Sequence, residues 1–127
     1  MGKRFGELKP GDTIYCFTNY CGKIRQDVCK VEQIEEFTYS GHLTGFRFVI
    51  SQTESTDANF ELGRVYIFVA IRSEMNRTII FRYGSDWATC MYTDESFTKL
   101  NFIVRSAKCV NSHLRGTYFD KKTWETI

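Results

Sequence analysis

The segment Pro10-Gly11-Asp12-Thr13-Ile14-Tyr15-Cys16-Phe17-Thr18 decides how the chain is read. Proline presets φ, glycine accepts a positive φ and aspartate bonds nearby amides, so Pro10-Gly11-Asp12 is a turn. Thr13 to Thr18 then alternates, with Ile14 and Cys16 on one face and Tyr15 and Phe17 on the other, which is strand periodicity. Asn19 to Gly22 makes a second turn. Ile24 to Phe37 reads as one long strand, or as two strands separated by a bend. Its inward set shifts from Ile24 and Val28 to Cys29 and Val31, and a one-residue change of parity is what a β-bulge produces.

The same punctuation continues outward from there. Ser40 to Gly45 is a loop and Phe46 to Ser51 a third strand. Gln52 to Asn59 is small and polar, hence a mobile loop, with a possible small-ligand pocket beneath it. Arg64 to Ile71 is nearly all apolar, as in a strand covered on both faces. Glu74-Met75-Asn76 turns the chain, Arg77 to Tyr83 returns it, Gly84-Ser85-Asp86 is a hairpin turn, and Trp87 to Tyr92 closes the set. From Asp94 the period changes: Phe97, Leu100, Val104 and Ala107, with Ile103 alongside, are spaced as on a helix capped by Asp94. Thr117 to Ile127 is a tail whose Tyr118, Phe119 and Trp124 would dock it on the body. The expected architecture is mainly β with one helix: a small SH3-like barrel or strongly curled antiparallel sheet of about six strands. All 127 residues form a single domain in this reading, with a β region over 12–92, a helix over about 94–110 and a tail over 117–127.

Composition limits the function classes. The chain is 43% hydrophobic, 25% charged and 16% aromatic, enough apolar area for one real core. Its formal charge of +2 does not mark out a nucleic-acid or membrane binder. Met1-Gly2-Lys3-Arg4-Phe5-Gly6 has neither the apolar stretch of a secretory signal nor the pattern of a myristoylation signal. Val65 to Ile71 is the longest apolar run and is far short of a membrane span. A cytoplasmic, soluble protein is expected, with its five cysteines reduced and mostly buried.

Leu8-Lys9-Pro10-Gly11-Asp12-Thr13-Ile14-Tyr15 resembles the L-K-x-G-D-x-[IV]-Y opening of small uncharacterised SH3-like barrels from bacteriophages and bacterial mobile elements. Tyr92-Thr93-Asp94-Glu95, leading from the last strand into a helix, resembles the second half of that pattern. The resemblance implies a fold and a phage-like source, with a host cytoplasm as the setting, and carries no catalytic residues.

Candidate chemistry is sparse. No G-x-S-x-G elbow, H-E-x-x-H or P-loop occurs, and the two histidines, His42 and His113, have no evident catalytic partner. Cys16-x4-Cys21 with Cys109-x3-His113 would make a Cys₃His zinc site, but the spacing is loose and buried thiols are the simpler reading. No enzyme activity, metal or cofactor is expected. Aromatic residues (Tyr15, Phe17, Tyr20, Tyr39, Phe46, Tyr66, Phe68) exceed what one sheet face can bury, which favours a protein partner or self-association. Tyr20, Tyr39 and Trp87 are the candidate anchors, Arg77 and Arg82 the orienting charges, and the open edges of so small a sheet can accept another strand. The competing reading is single-stranded nucleic-acid binding through Arg47, Arg64, Tyr66, Arg82 and Trp87.

Overall fold

The computed structural model describes residues 2–20, 23–39, 43–57, 62–83, 87–109, 119–120 and 125–126. After a 3₁₀ turn at Phe5–Glu7 come β1 (Thr13–Tyr20), β2 (Lys23–Tyr39), β3 (Leu43–Ser55) and β4 (Val65–Ile71). A second 3₁₀ turn at Arg72–Asn76 leads to β5 (Ile79–Tyr83), β6 (Trp87–Tyr92) and the helix α1 (Lys99–Cys109). Six strands form one antiparallel sheet in the order β4-β3-β2-β1-β6-β5, curled into a half-barrel. Two short strands, β7 (Phe119–Asp120) and β8 (Glu125–Thr126), pair with each other. The mainly β class with a late helix is thus the one the sequence predicts.

Local chemistry explains the elements. Gly11 takes φ 97° in the Pro10-Gly11 turn, and the Asp12 carboxylate accepts from the Lys9 amide at 2.9 Å. The β2–β3 register shifts between Val28 and Cys29, where the parity of the sequence changes, and again between Val31 and Gln33. These bulges bend the long β2 and let one strand serve both halves of the curled sheet.

Several boundaries differ from expectation. The third strand runs on through Gln52–Ser55, because Cys29 and Val28 of the long β2 supply ladder partners for Gln52 and Glu54. It also begins earlier, at Leu43, within the expected Ser40–Gly45 loop. The helix starts at Lys99, not at Asp94: the Thr98 hydroxyl accepts from the Asn101 amide (3.2 Å) and the Asn101 side chain accepts from the Thr98 amide (3.1 Å). Asp94 instead closes a tight turn, its carboxylate accepting from the Ser96 amide at 3.0 Å. Phe97 belongs to that turn, so counting helical phase from it misplaces Leu100, which is 51% exposed while Phe102 and Ile103 are buried. Tyr118 and Trp124 of the tail lie outside the described residues.

Both faces of the sheet are covered around β1. On the concave face Phe5, Leu8, Ile14, Val31, Phe48, Ile50, Phe68, Ile80 and Met91 make one core, with Phe5 inserted against Phe48 and Phe68 at ring separations of 6.1 and 6.0 Å. On the convex face Phe17 stacks on Tyr92 (5.1 Å) and on Phe102 of α1 (5.3 Å), and Phe97 packs against Tyr92. The expected aromatic surplus is therefore largely absorbed. Tyr15 and Phe17 go under the helix, and Phe46, Tyr66 and Phe68 go to the concave side.

The two edge strands, β4 and β5, are joined by a side chain where they approach. Arg82 of β5 donates to the Val69 carbonyl of β4 (2.9 Å) and forks onto both carboxylate oxygens of Glu74 (2.7 Å each). Glu74 in turn accepts from the Ile71 amide at 3.1 Å. Burial alone would raise the Glu74 carboxyl, but the Arg82 and Ile71 hydrogen bonds and the charges of Arg82 and Arg77 hold it below the usual 4.5. A depressed folded-state value means stability that is complete above pH 4.5 and lost as pH falls through that folded value. Urea unfolding across pH should show this acid slope in the wild type. Glu74→Gln should be about 1–2 kcal/mol less stable at neutral pH, allowing for the partial exposure of Arg82, and should show a shallower slope.

Candidate functional site

The concave face changes character along its length. Toward the N-terminal 3₁₀ turn it is filled with apolar side chains; toward the β1–β2 turn it carries polar ones. The register shows why. Concave positions of β1 run Ile14, Cys16, Thr18, Tyr20, and those of β6 run Met91, Thr89, Trp87, with Thr18 opposite Thr89 and Tyr20 opposite Trp87. On β2 the row is Val31, Cys29, Asp27, Arg25, and on β3 it is Ile50 then Gln52. Each strand thus passes from apolar to polar in the same direction.

A cavity of about 280 Å³ sits in this polar half, lined by Cys16, Thr18, Arg25, Gln52, Arg64, Tyr66 and Thr89. Asp27 lies beside it, fully buried, its carboxylate accepting from Arg25 Nε (2.9 and 3.1 Å) and from Gln52 Nε2 (3.1 Å). Because a carboxylate only accepts, the Gln52 amide must turn its NH₂ toward Asp27, leaving Oε1 on the other side. Gln52 is 3% exposed, and its Oε1 has no hydrogen-bond partner among the described residues. Arg64 stands at the exposed rim, and its side chain has no ion pair among the described residues. With Arg25 balanced by Asp27, the cavity carries a net positive charge from Arg64.

The described thiols are buried. Burial pushes the Cys16 thiol up to about 12 and the Cys29 thiol up to about 11; Cys90, on the convex side, is also raised by burial. Cys16 interacts with the Thr18 hydroxyl (3.6 Å), Cys29 with the Tyr66 hydroxyl (3.6 Å). Tyr66 is likewise raised, chiefly by burial. Thiols held neutral by burial offer little thiolate for nucleophilic attack. Of the candidate zinc set, Cys21 and His113 lie outside the described residues and the Cys109 side chain is not described. Among the described residues no group of three His, Cys, Asp or Glu is placed to hold a metal.

The second feature is the outer face of β4. Val65 and Ile67 are each 57% exposed, and Val69 and Ile71 each 37%. The expectation that this strand is covered on both faces is thus incorrect: Phe68 and Ala70 fill the concave core, but nothing described covers the alternate residues. A shallow cavity of about 330 Å³ lies at its end, between Phe37, Val69, Ile71 and Arg82.

The candidate residues divide among these places. Tyr20 and Trp87 are brought together as exposed cross-strand neighbours at the mouth of the polar trough, with Arg64 and Tyr66 along its side. Arg47 is elsewhere, on the outer face, paired with Glu35 at 3.0 Å and lying over the Phe37 ring. Arg82 is committed to the seam. Arg77 is exposed beyond the second 3₁₀ turn, its carbonyl accepting from the Phe5 amide. Tyr39 ends β2, and its side chain is not described. Gln52, Asp27 and Arg25 were absent from the sequence candidates. Two polar residues two apart in a strand, Arg25 and Asp27, are the only signal they leave, and an exposed strand face would look the same.

Compared with protein-family models, curated proteins and solved structures, the chain matches none of them. No helix among the described residues is long and apolar enough to cross a membrane.

Burial makes the thiol chemistry directly checkable. Iodoacetamide at pH 8 with peptide mapping should leave Cys16, Cys29 and Cys90 unmodified in the folded protein and label all three in denaturant.

Proposed function

We propose that the protein is a non-enzymatic interaction module that pairs through the free edge of β4, and that its partner on this edge is a second copy. The supporting observation is the row Val65, Ile67, Val69 and Ile71, four β-branched residues exposed along an edge strand. Natural edge strands are usually blunted by charge, proline or a covering element. Here β4 contains no charged residue and no proline.

The ladder fixes which part of the edge is available. Tyr66, Phe68 and Ala70 face Ile50, Phe48 and Phe46 in the β3–β4 register, and Val69 and Ile71 turn their peptide groups outward, to Arg82 and Glu74. By alternation, Val65 and Ile67 present theirs to the open edge. A two-fold axis at Tyr66 would set Val65 of one copy opposite Ile67 of the other. Such a pairing forms about four backbone hydrogen bonds and places β-branched residues across from each other. A second copy suits this surface because an uncharged strand meets its own image without like-charge repulsion. The neutral thiols of the concave face support a binding role over a catalytic one.

Sedimentation or light scattering over a range of concentrations tests the proposal. The wild type should pass from monomer to dimer. Ile67→Lys puts two like charges near the axis and should raise the dissociation constant at least tenfold, with thermal stability unchanged because the side chain points to solvent. A wild type that stays monomeric at millimolar concentration, or an Ile67→Lys protein that dimerises as well as wild type, would defeat it.

A further inference from the structure

We infer that the Arg82–Glu74 pair guards both edges of the sheet at once, and so stops copies of this chain from joining β4 to β5 in an open-ended row. The inference rests on the reading of β4 as a pairing edge, and it adds what keeps that pairing closed at two copies. Its starting point is composition. β4 and β5 contain one charged residue between them, Arg82. Uncharged edge strands rich in β-branched and aromatic residues are templates for another strand unless something blunts them.

The hydrogen bonds show how one side chain blunts two edges. The Thr78 carbonyl, just before β5, accepts from the Thr93 amide just beyond β6, so by alternation Ile79, Phe81 and Tyr83 turn their peptide groups to the free side. There the Phe81 carbonyl is met by Arg82 Nη1 at 2.9 Å, and one step back the Arg77 carbonyl is met by the Phe5 amide at 3.0 Å. On β4 the Val69 carbonyl is met by Arg82 Nη2 at 2.9 Å and the Ile71 amide by Glu74 at 3.1 Å. One guanidinium therefore occupies an outward carbonyl on each edge, and the carboxylate that holds it occupies an outward amide. The two bonds of the fork, at 2.7 Å each, are short and charge-assisted, and the Glu74 side chain is nearly buried. The guanidinium also lies over the Phe68 ring at 5.4 Å, which fixes it further.

The topology says what this prevents. The sheet ends in β4 on one side and β5 on the other. If β4 of one copy paired with β5 of the next, each added copy would leave one edge of each kind open, and the row would not close. The fork removes the Val69 and Phe81 carbonyls from that contact together. What stays open on β4 is the Val65–Ile67 half, where a two-fold pairing uses up β4 of both copies and leaves only guarded β5 edges outside.

Sedimentation velocity of the full chain over a range of concentrations tests this, with circular dichroism to confirm that each variant is folded. Wild type should not exceed two chains. Arg82→Ala should form species of three chains or more at concentrations about tenfold below any at which wild type shows them. Adding Ile67→Lys, which places a charge on the β4 edge, should suppress those species; association through unfolded chains would not respond to it. Should Arg82→Ala not fold, Arg82→Lys serves instead, because it keeps a charge beside Glu74 but has no fork to span both edges. Three outcomes overturn the inference: a wild type that itself grows past two chains, a folded Arg82 variant that stops at two chains or fewer, or large species that persist unchanged when Ile67→Lys is added. A monomeric wild type whose Arg82→Ala form assembles would defeat the two-fold pairing and leave the guard standing. A dimeric wild type whose Arg82 variants also stop at two chains would do the reverse.

Discussion

The fold depends on β1 being covered on both faces while paired on both edges. Ile14 and Cys16 are sealed into the concave core, Tyr15 and Phe17 pack under α1, and β2 and β6 take the two ladders. A slip of one residue would exchange these sets, moving an eight-residue strand's small side chains into the aromatic layer and its rings into the trough. β6 beside it is held in the same way, between β1 and β5 with Met91 in the concave core and Ala88, Cys90 and Tyr92 under the helix, so the two strands fix each other's register. The alignment of Thr18 with Thr89 and of Cys16 with Asp27 is one result.

From that register the molecule acquires its polarity of surface. Apolar residues accumulate at the Phe5 end because the N-terminal segment folds back: the Phe5 amide donates to the Arg77 carbonyl, and the Thr93 hydroxyl donates to the Lys3 carbonyl. At the other end no element inserts among the described residues, and polar side chains on four strands converge instead. The convex side is also divided: α1 lies over β1, β5 and β6, where Arg105 sits over the Phe81 ring at 4.8 Å, while the outer face of β4 stays open. Open polar surface is thus concentrated on the inside of the curl, and open apolar surface along the one edge that Arg82 only half protects.

How much of this the sequence reveals depends on the range of the interaction involved. The Pro10-Gly11-Asp12 turn, the alternation of Thr13–Thr18 and the parity change at Val28/Cys29 are local, and the strands and the bulge were legible from them. Asp94 misleads because Thr98 is an equally good cap four residues on, and only the packing of Phe97 against Tyr92 and Phe17 decides between them. An apolar run such as Val65–Ile71 is equally consistent with a doubly covered strand and with an edge that awaits a partner; composition carries no record of neighbours. The trough was hidden for the same reason. Arg25 and Asp27 come from β2, Gln52 from β3 and Arg64 from the turn before β4, and only the curl brings them to one wall.

By filling one end of the half-barrel, the Phe5 ring turns what would be an open channel into a blind cup. Among the described residues the cup opens past Trp87 and Arg64, so access to it is set at that lip and not by the depth of the interior. The stopper belongs to the first few residues, which makes the far boundary of the interior a property of the leading segment, although that segment contributes no strand to the sheet.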